Sequence, residues 1–366
     1  MKKALIFLLT VLTVFTLFAG CAGKDGTSDV NTKPGSTNDT QQHDAESDQP
    51  GKLSELTKVT VSEFRGISWA PMYIAYQLGY YKDVNLDVEL LKIDDGPNCF
   101  RGMHAGESDF CILSQEVALK AQEQGMRSTF ITTMLDTRYY AFAATSDIKS
   151  VADLKGKTVF ASTPGSAPYT FCVAVMEEAG LKIGEDVTLV TMDKGAVVAA
   201  LSKGEVQAAF INADNFKEAD NVEGLHYLVD TRKAEDASNY LNSDTFPAEV
   251  ILCTEKFKND NPEVVQAFVN ATCRGLTWLQ ENKSEDAANT IADLFSGMKK
   301  EVIAEKIDIM KGAFSKTGYI SQEGEAAVLD FSMRAGIITK EIPYADIVDM
   351  SFVKNAMDAG LVPQNK

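Results

Sequence analysis

The feature that most constrains this chain is an internal duplication: strand, helix, strand, helix, strand recurs in the same order roughly 98 residues further on. Lys58-Val59-Thr60-Val61 answers Lys157-Thr158-Val159-Phe160. Each runs into a polar loop, Arg65-Gly66-Ile67-Ser68 in the first pass and Thr163-Pro164-Gly165-Ser166 in the second. Both loops open a helix with a proline, Pro71 or Pro168, near its first turn, where a missing N–H costs nothing. Residues 85–90 then match 185–190, Gly106 and Gly204 stand where a following helix would end, and 109–113 match 207–211. Alternating strands and helices predict a parallel sheet covered on both faces. The duplication therefore predicts two doubly wound α/β lobes facing each other across a cleft. Ligands of open α/β sheets sit outside the carboxyl ends of the strands, so equivalent loops of the two lobes are aimed at one ligand.

Two apolar stretches, residues 140–144 and 248–252, fall where the chain leaves and re-enters the first lobe and are expected to be hinge strands. This assigns residues 57–145 and 247–366 to lobe one and residues 146–246 to lobe two. From Asn261-Pro262 onward, Val264, Val265, Phe268, Val269, Thr272 and Leu276 form an apolar stripe at helical spacing, which predicts a helix packed on lobe one.

The amino-terminal segment has a separate logic. Lys2 and Lys3 precede an apolar run from Ala4 to Ala19 and small residues before Cys21, a pattern that describes an export signal over residues 1–20 and not a membrane span. Ala19-Gly20-Cys21 fits the site at which a lipid-bearing cysteine becomes the new first residue, which would hold the chain at a bacterial cell membrane, outside the cytoplasm. Residues 21–56 are rich in Gly, Ser, Thr, Asn, Asp and Gln, bury little, and read as a tether. The formal charge of −17 becomes −19 without the two signal lysines, which excludes a nucleic-acid partner. Beyond Cys21 five cysteines remain, an odd number without Cys-x-x-Cys spacing, so neither a disulfide framework nor a zinc site is expected. Cys172 and Cys273 read as small buried hydrophobes; Cys99 and Cys111 are the pair that could join.

Four stretches carry a resemblance. They are Trp69-Ala70-Pro71-Met72-Tyr73-Ile74-Ala75 leading to Leu78-Gly79-Tyr80-Tyr81, Phe100-Arg101-Gly102-Met103 through Gly106-Glu107-Ser108-Asp109-Phe110, Asp153-Leu154-Lys155-Gly156-Lys157-Thr158-Val159, and Asn261-Pro262-Glu263-Val264-Val265. Together and in this order they resemble the extracytoplasmic binding proteins for nitrate, sulfonates, taurine and the pyrimidine precursors of thiamine. The resemblance implies a type II periplasmic-binding-protein fold, closure around one small ligand, and delivery to the permease subunits of an ABC importer. It does not fix the ligand.

The candidate ligand contacts are the loop ends. In lobe two, Thr163, Gly165 and Ser166 precede a helix whose amino terminus offers free N–H groups and a partial positive charge. In lobe one the equivalents are Arg65, Gly66, Ser68 and Trp69, followed by Gly96 and Asn98, then Ser114 and Gln115. Trp69 is the candidate for stacking on a planar ligand. Asn212 and Asp214 follow the strand ending at Ile211, and Phe246 stands before the return crossing. Asp214 argues for a ligand with N–H donors, Arg65 for an anion. No covalent step is expected, and no cofactor or metal. His43, His104 and His226 stand alone, and the chain has no Gly-x-Ser-x-Gly elbow, phosphate loop or His-Glu-x-x-His pair, so hydrolase, ATPase and metalloprotease readings find no foothold. A pyrimidine-synthase-like enzyme lacks its cysteine-rich motif here. A surface sensor of the same fold is the remaining alternative to a monomeric transport protein.

Overall fold

The computed structural model describes residues 49–241, 243 and 245–364. The export signal, Cys21 and most of the expected tether lie outside the described residues. The described chain runs β1 (Thr57–Glu63), α1 (Ala70–Gln77), α2 (Tyr80–Asp83), β2 (Leu86–Lys92), α3 (Gly96–Ala105), β3 (Phe110–Ser114), α4 (Gln115–Glu123) and β4 (Ser128–Thr133). It continues through β5 (Ala141–Ala144), β6 (Lys157–Phe160), α5 (Ala167–Glu178), β7 (Val187–Val190), α6 (Val197–Ser202), β8 (Ala208–Ile211), α7 (Phe216–Asp220), β9 (His226–Asp230) and α8 (Ala234–Leu241). The last part is β10 (Glu249–Thr254) followed by helices, α9 (Glu255–Asp260), α10 (Pro262–Glu281), α11 (Ser284–Ile291), α12 (Lys300–Met310), α13 (Gln322–Arg334) and α14 (Ser351–Asp358).

The strands form two sheets of the same topology, β2-β1-β3-β10-β4 and β7-β6-β8-β5-β9. In each, the second strand is parallel to both neighbours, β1 to β2 and β3, β6 to β7 and β8. The fourth strand, β10 or β5, runs antiparallel to both strands that flank it. The duplication in sequence is thus a duplication in space. The prolines sit in the first turn of α1 and α5, and Gly106 caps α3 at φ 82°, a left-handed conformation that glycine adopts without a Cβ penalty.

The antiparallel strands change the reading of the two expected hinge strands. Residues 140–144 and 248–252 are not free hinges, because Ala141-Phe142-Ala143-Ala144 is wholly buried as β5 in the second sheet and β10 is paired on both edges in the first. An apolar strand with both edges paired belongs to a sheet, so the chain crosses between lobes earlier, over residues 134–140 on the way out and 245–248 on the way back, and the second lobe begins before residue 141. The crossings run side by side: Ala248 N–H donates to the Leu135 carbonyl at 3.2 Å and Phe246 N–H to Asp136 at 2.6 Å. The expected tether is also shorter than residue 56. Asn270 Nδ2 donates to the Pro50 carbonyl at 2.8 Å and Leu53 N–H to Val84 at 3.2 Å, so residues 50–53 are docked on the first lobe.

α10 is the central helix of the carboxy-terminal part. Its apolar stripe buries Phe268 against Phe110 of β3, rings 4.2 Å apart and stacked, and against Tyr81 at 4.9 Å. Gly275 lets α1 approach, since a Cβ there would lie 2.1 Å from the Pro71 carbonyl oxygen. Cys99, Cys111, Cys172, Cys253 and Cys273 are all buried free thiols, and burial pushes Cys99 up to about 12, far from a reactive thiolate.

Candidate functional site

Between the lobes, at the carboxyl ends of β1, β3, β6 and β8, lies a cleft of about 200 Å³. That is below the ~300–1,000 Å³ of pockets for drug-sized ligands, so it fits a small solute. From lobe one it is lined by the β1–α1 loop, including Phe64, Arg65, Gly66 and Ser68. Arg65 is not a free anion receptor. Its guanidinium is paired with buried Glu63, donates to the Leu294 carbonyl at 3.0 Å and lies over the Tyr73 ring at 5.0 Å. Trp69 does not reach the cleft: it is completely buried, edge-on to Phe64 at 5.5 Å, so the expected stacking residue is a core residue. It holds Phe64, which does line the cleft, from behind.

Two further lobe-one expectations divide the same way. Gly96 lines the cleft while Asn98, two residues into α3, turns away to accept from Arg101. At ~100° per residue, Asn98 is turned about 200° from Gly96 around the helix axis, which takes it off the face that lines the cleft. Ser114 lines the cleft; Gln115 is buried behind it and donates to the Pro247 carbonyl.

In lobe two, Thr163 and Ser166 line the cleft and Ser166 caps α5, accepting from Tyr169 N–H at 3.4 Å. Gly165 supplies the turn at φ 82° but is not a lining residue. Ser162, absent from the sequence-based set, lines the cleft in a left-handed conformation at φ 71°, costly for a residue with a Cβ. Asn212 and Asp214 also line it, but Asp214 is ion-paired with Lys306 at 2.6 Å.

The floor is built by the crossings, which sequence reasoning passed over. Leu135, Arg138, Tyr139, Tyr140, Ala248 and Glu249 line it. Arg138 is buried, paired through both terminal nitrogens with buried Glu116, and placed over the rings of Tyr140 at 5.0 Å and Phe246 at 4.9 Å. Phe246, on the returning crossing, is fully buried and edge-on to Phe331, and it does not line the cleft. Glu249 heads β10 with its carboxylate accepting from Ser114 Oγ at 2.9 and 3.0 Å. Burial raises its pKa to about 7, with Glu116 adding to the rise and Arg138 and Ser114 opposing it. Behind the floor, buried Glu325 is pushed up to about 8 by the same desolvation, and neither of its carboxylate oxygens has a hydrogen-bond partner among the described residues. The available signal for Glu249 is a charge at the head of the apolar run Glu249-Val250-Ile251-Leu252-Cys253; a glutamate entering a buried strand needs a reason to be there.

Among the described residues, no group of three or more His, Cys, Asp or Glu side chains is arranged to hold a metal ion, and no helix is long and apolar enough to cross a membrane. Known proteins similar to the chain include binding proteins and a synthase, the 4-amino-5-hydroxymethyl-2-methylpyrimidine phosphate synthase of Candida albicans, 22% identical over 287 residues, 73% of this chain and 80% of that one. One named YtlA from Bacillus subtilis is 24% identical over 305 residues, 80% of this chain and 88% of that one. An aliphatic sulfonates-binding protein of the same organism is 24% identical over 321 residues, 84% of this chain and 90% of its own. In three dimensions the chain resembles the alkanesulfonate-binding protein SsuA from Xanthomonas axonopodis pv. citri, with a TM-score of 0.62, 16% identity, and coverage of 82% of this chain and 100% of that one. With its paired five-stranded sheets, the architecture is the type II periplasmic-binding-protein fold. Residues 67–286 match the family model described as NMT1/THI5 like, and the chain belongs to that family.

Proposed function

We propose that the chain is the solute-binding component of an ABC importer and that its cargo is a small, planar solute bearing N–H donors, neutral or cationic rather than an anion. The observation that carries the choice of cargo is the state of the charges around the cleft. Both guanidinium groups, Arg65 and Arg138, are committed to buried glutamates, whereas Glu249 keeps its carboxylate at the cleft floor with one hydroxyl donor. A sulfonate or nitrate would find Lys194 as a lining cation, but it would also face Asp94, Asp95 and the Glu249 carboxylate, and burying a charge beside like charges is expensive. A heterocyclic amine instead donates to Glu249, with Tyr139, Tyr140 and Phe64 as apolar walls.

The anion reading retains one supporting observation. The amino terminus of α5, with Thr163 and Ser166, faces the cleft, and the sulfonate-binding relatives are similar in sequence and fold. In this reading of the whole protein, Cys21 carries the lipid that keeps it at the outer surface of the cell membrane, the described lobes work as a monomer, and capture needs no covalent step.

A thermal-shift and calorimetric screen decides between cargoes. Aminopyrimidines, thiamine and flavins are set against taurine, alkanesulfonates and nitrate, since a ligand at 100 times its Kd adds ~2.7 kcal/mol to stability. The expected outcome is a shift from an amine-bearing heterocycle that Glu249→Gln removes. A shift from sulfonates alone, retained in Glu249→Gln, overturns the charge argument.

A further inference from the structure

Besides the Arg334–Glu178 pair between α13 and α5, charges bridge the lobes at the cleft mouth, where the only candidate ligand contact involved is Asp214. α12 belongs to lobe one, packed on α11 and on the single turn Ile67–Trp69 that opens α1. Two consecutive side chains of α12 nevertheless reach lobe two. Lys306 Nζ lies 2.6 Å from Asp214 Oδ1, just past β8, and Glu305 pairs with Lys217 on α7. The Lys306 side chain is 11% exposed while that of Asp214 is 53% exposed, so a largely dehydrated ammonium receives its counter-charge from the opposite lobe. The two pairs have opposite polarity, lysine to aspartate and glutamate to lysine, so a slipped register would set like charges together.

α12 is also tied to the cleft. Arg65 donates to the carbonyl of Leu294, in the segment leading to α12, and Met310 at the far end of α12 lines the cleft directly. We propose that α12 is a charged clasp: Lys306 and Glu305 on lobe one grip Asp214 and Lys217 on lobe two, and these pairs set how long the cleft stays shut. Asp214 is then a closure residue and not a reader of the ligand. At the opposite side the lobes are joined covalently by the crossings, and α13 rests on α5 and α8 there, so the α12 pairs are contacts that opening at the mouth must break. When the lobes part, Lys306 loses its carboxylate and must take up water instead, and the balance between these states is the quantity the clasp tunes.

The test needs no ligand, so its failure would leave the proposed cargo standing. Spin labels are placed on Lys82→Cys in lobe one and Lys203→Cys in lobe two of the full chain carrying Cys21→Ser; both positions are exposed and the remaining five thiols are buried. Pulsed EPR then reads the interlobe distance distribution. Asp214→Asn and Lys306→Gln are each expected to raise the ratio of long to short distances by roughly fivefold, and the exchange Asp214→Lys with Lys306→Asp to restore the short population. Distributions unchanged in both single variants, or a long population that the exchange leaves in place, would overturn the clasp.

Discussion

Replacing Glu249 by Gln tests the cleft floor without any knowledge of the cargo. The change keeps the shape and leaves Ser114 Oγ an oxygen to donate to, but removes a carboxyl whose pKa is lifted from an ordinary 4.5 to about 7, first by desolvation. Because the folded protein holds that proton more tightly than the unfolded chain, this group favours folding fully below 4.5 and loses the advantage as the pH climbs through about 7. Moving one carboxyl over that interval is worth about 3 kcal/mol, at ~1.4 kcal/mol per tenfold change in proton affinity. The wild-type chain should therefore lose stability to urea between pH 5 and pH 8, and Glu249→Gln should remove up to about 3 kcal/mol of that loss. Some slope remains in the variant, because Glu325 is held up to about 8 and titrates in an overlapping range. Urea unfolding at half-unit pH steps, with the slope m unchanged, supplies the comparison. Parallel stability curves for the two proteins across pH 5–8 would refute the argument that Glu249 is buried and proton-binding at the floor.

Two further substitutions separate packing from recognition. Trp69→Ala should cost about 3–5 kcal/mol and lower Tm by roughly 10 °C, because the indole is fully buried; a variant as stable as the parent with binding abolished would restore the stacking role. Gly275→Ala should destabilise more than Gly79→Ala in thermal melts. The first places a Cβ 2.1 Å from the Pro71 carbonyl oxygen and must push α1 from α10, while the second meets nothing within 4 Å and suffers only its φ of 79°, about 1 kcal/mol; the reverse order would contradict the packing described.

The sequence by itself determined the architecture, because what it encodes there is local and repeated. The strands β1 and β6, the prolines opening α1 and α5, Gly106 at the end of α3 and the stripe of α10 are each set by neighbours within a few residues, and a repeated order of such elements admits one kind of sheet. It also placed most of the loop ends that line the cleft: Gly66, Ser68, Gly96, Ser114, Thr163, Ser166 and Asn212 follow from where strands stop. Only the tertiary structure decided what each side chain there is free to do. Arg65 and Asp214 look like ligand readers in one dimension, and Glu63 and Lys306 take them in three. Trp69, Asn98, Gln115 and Gly165 sit one position from a residue that lines the cleft, and a rotation of ~100° per helical residue is enough to turn a contact away from it. Glu249 and Arg138 were hidden for the opposite reason. They lie on segments that are far apart in sequence and carry no motif, and they become a site only when residues 134–140 and 245–248 run side by side beneath the cleft.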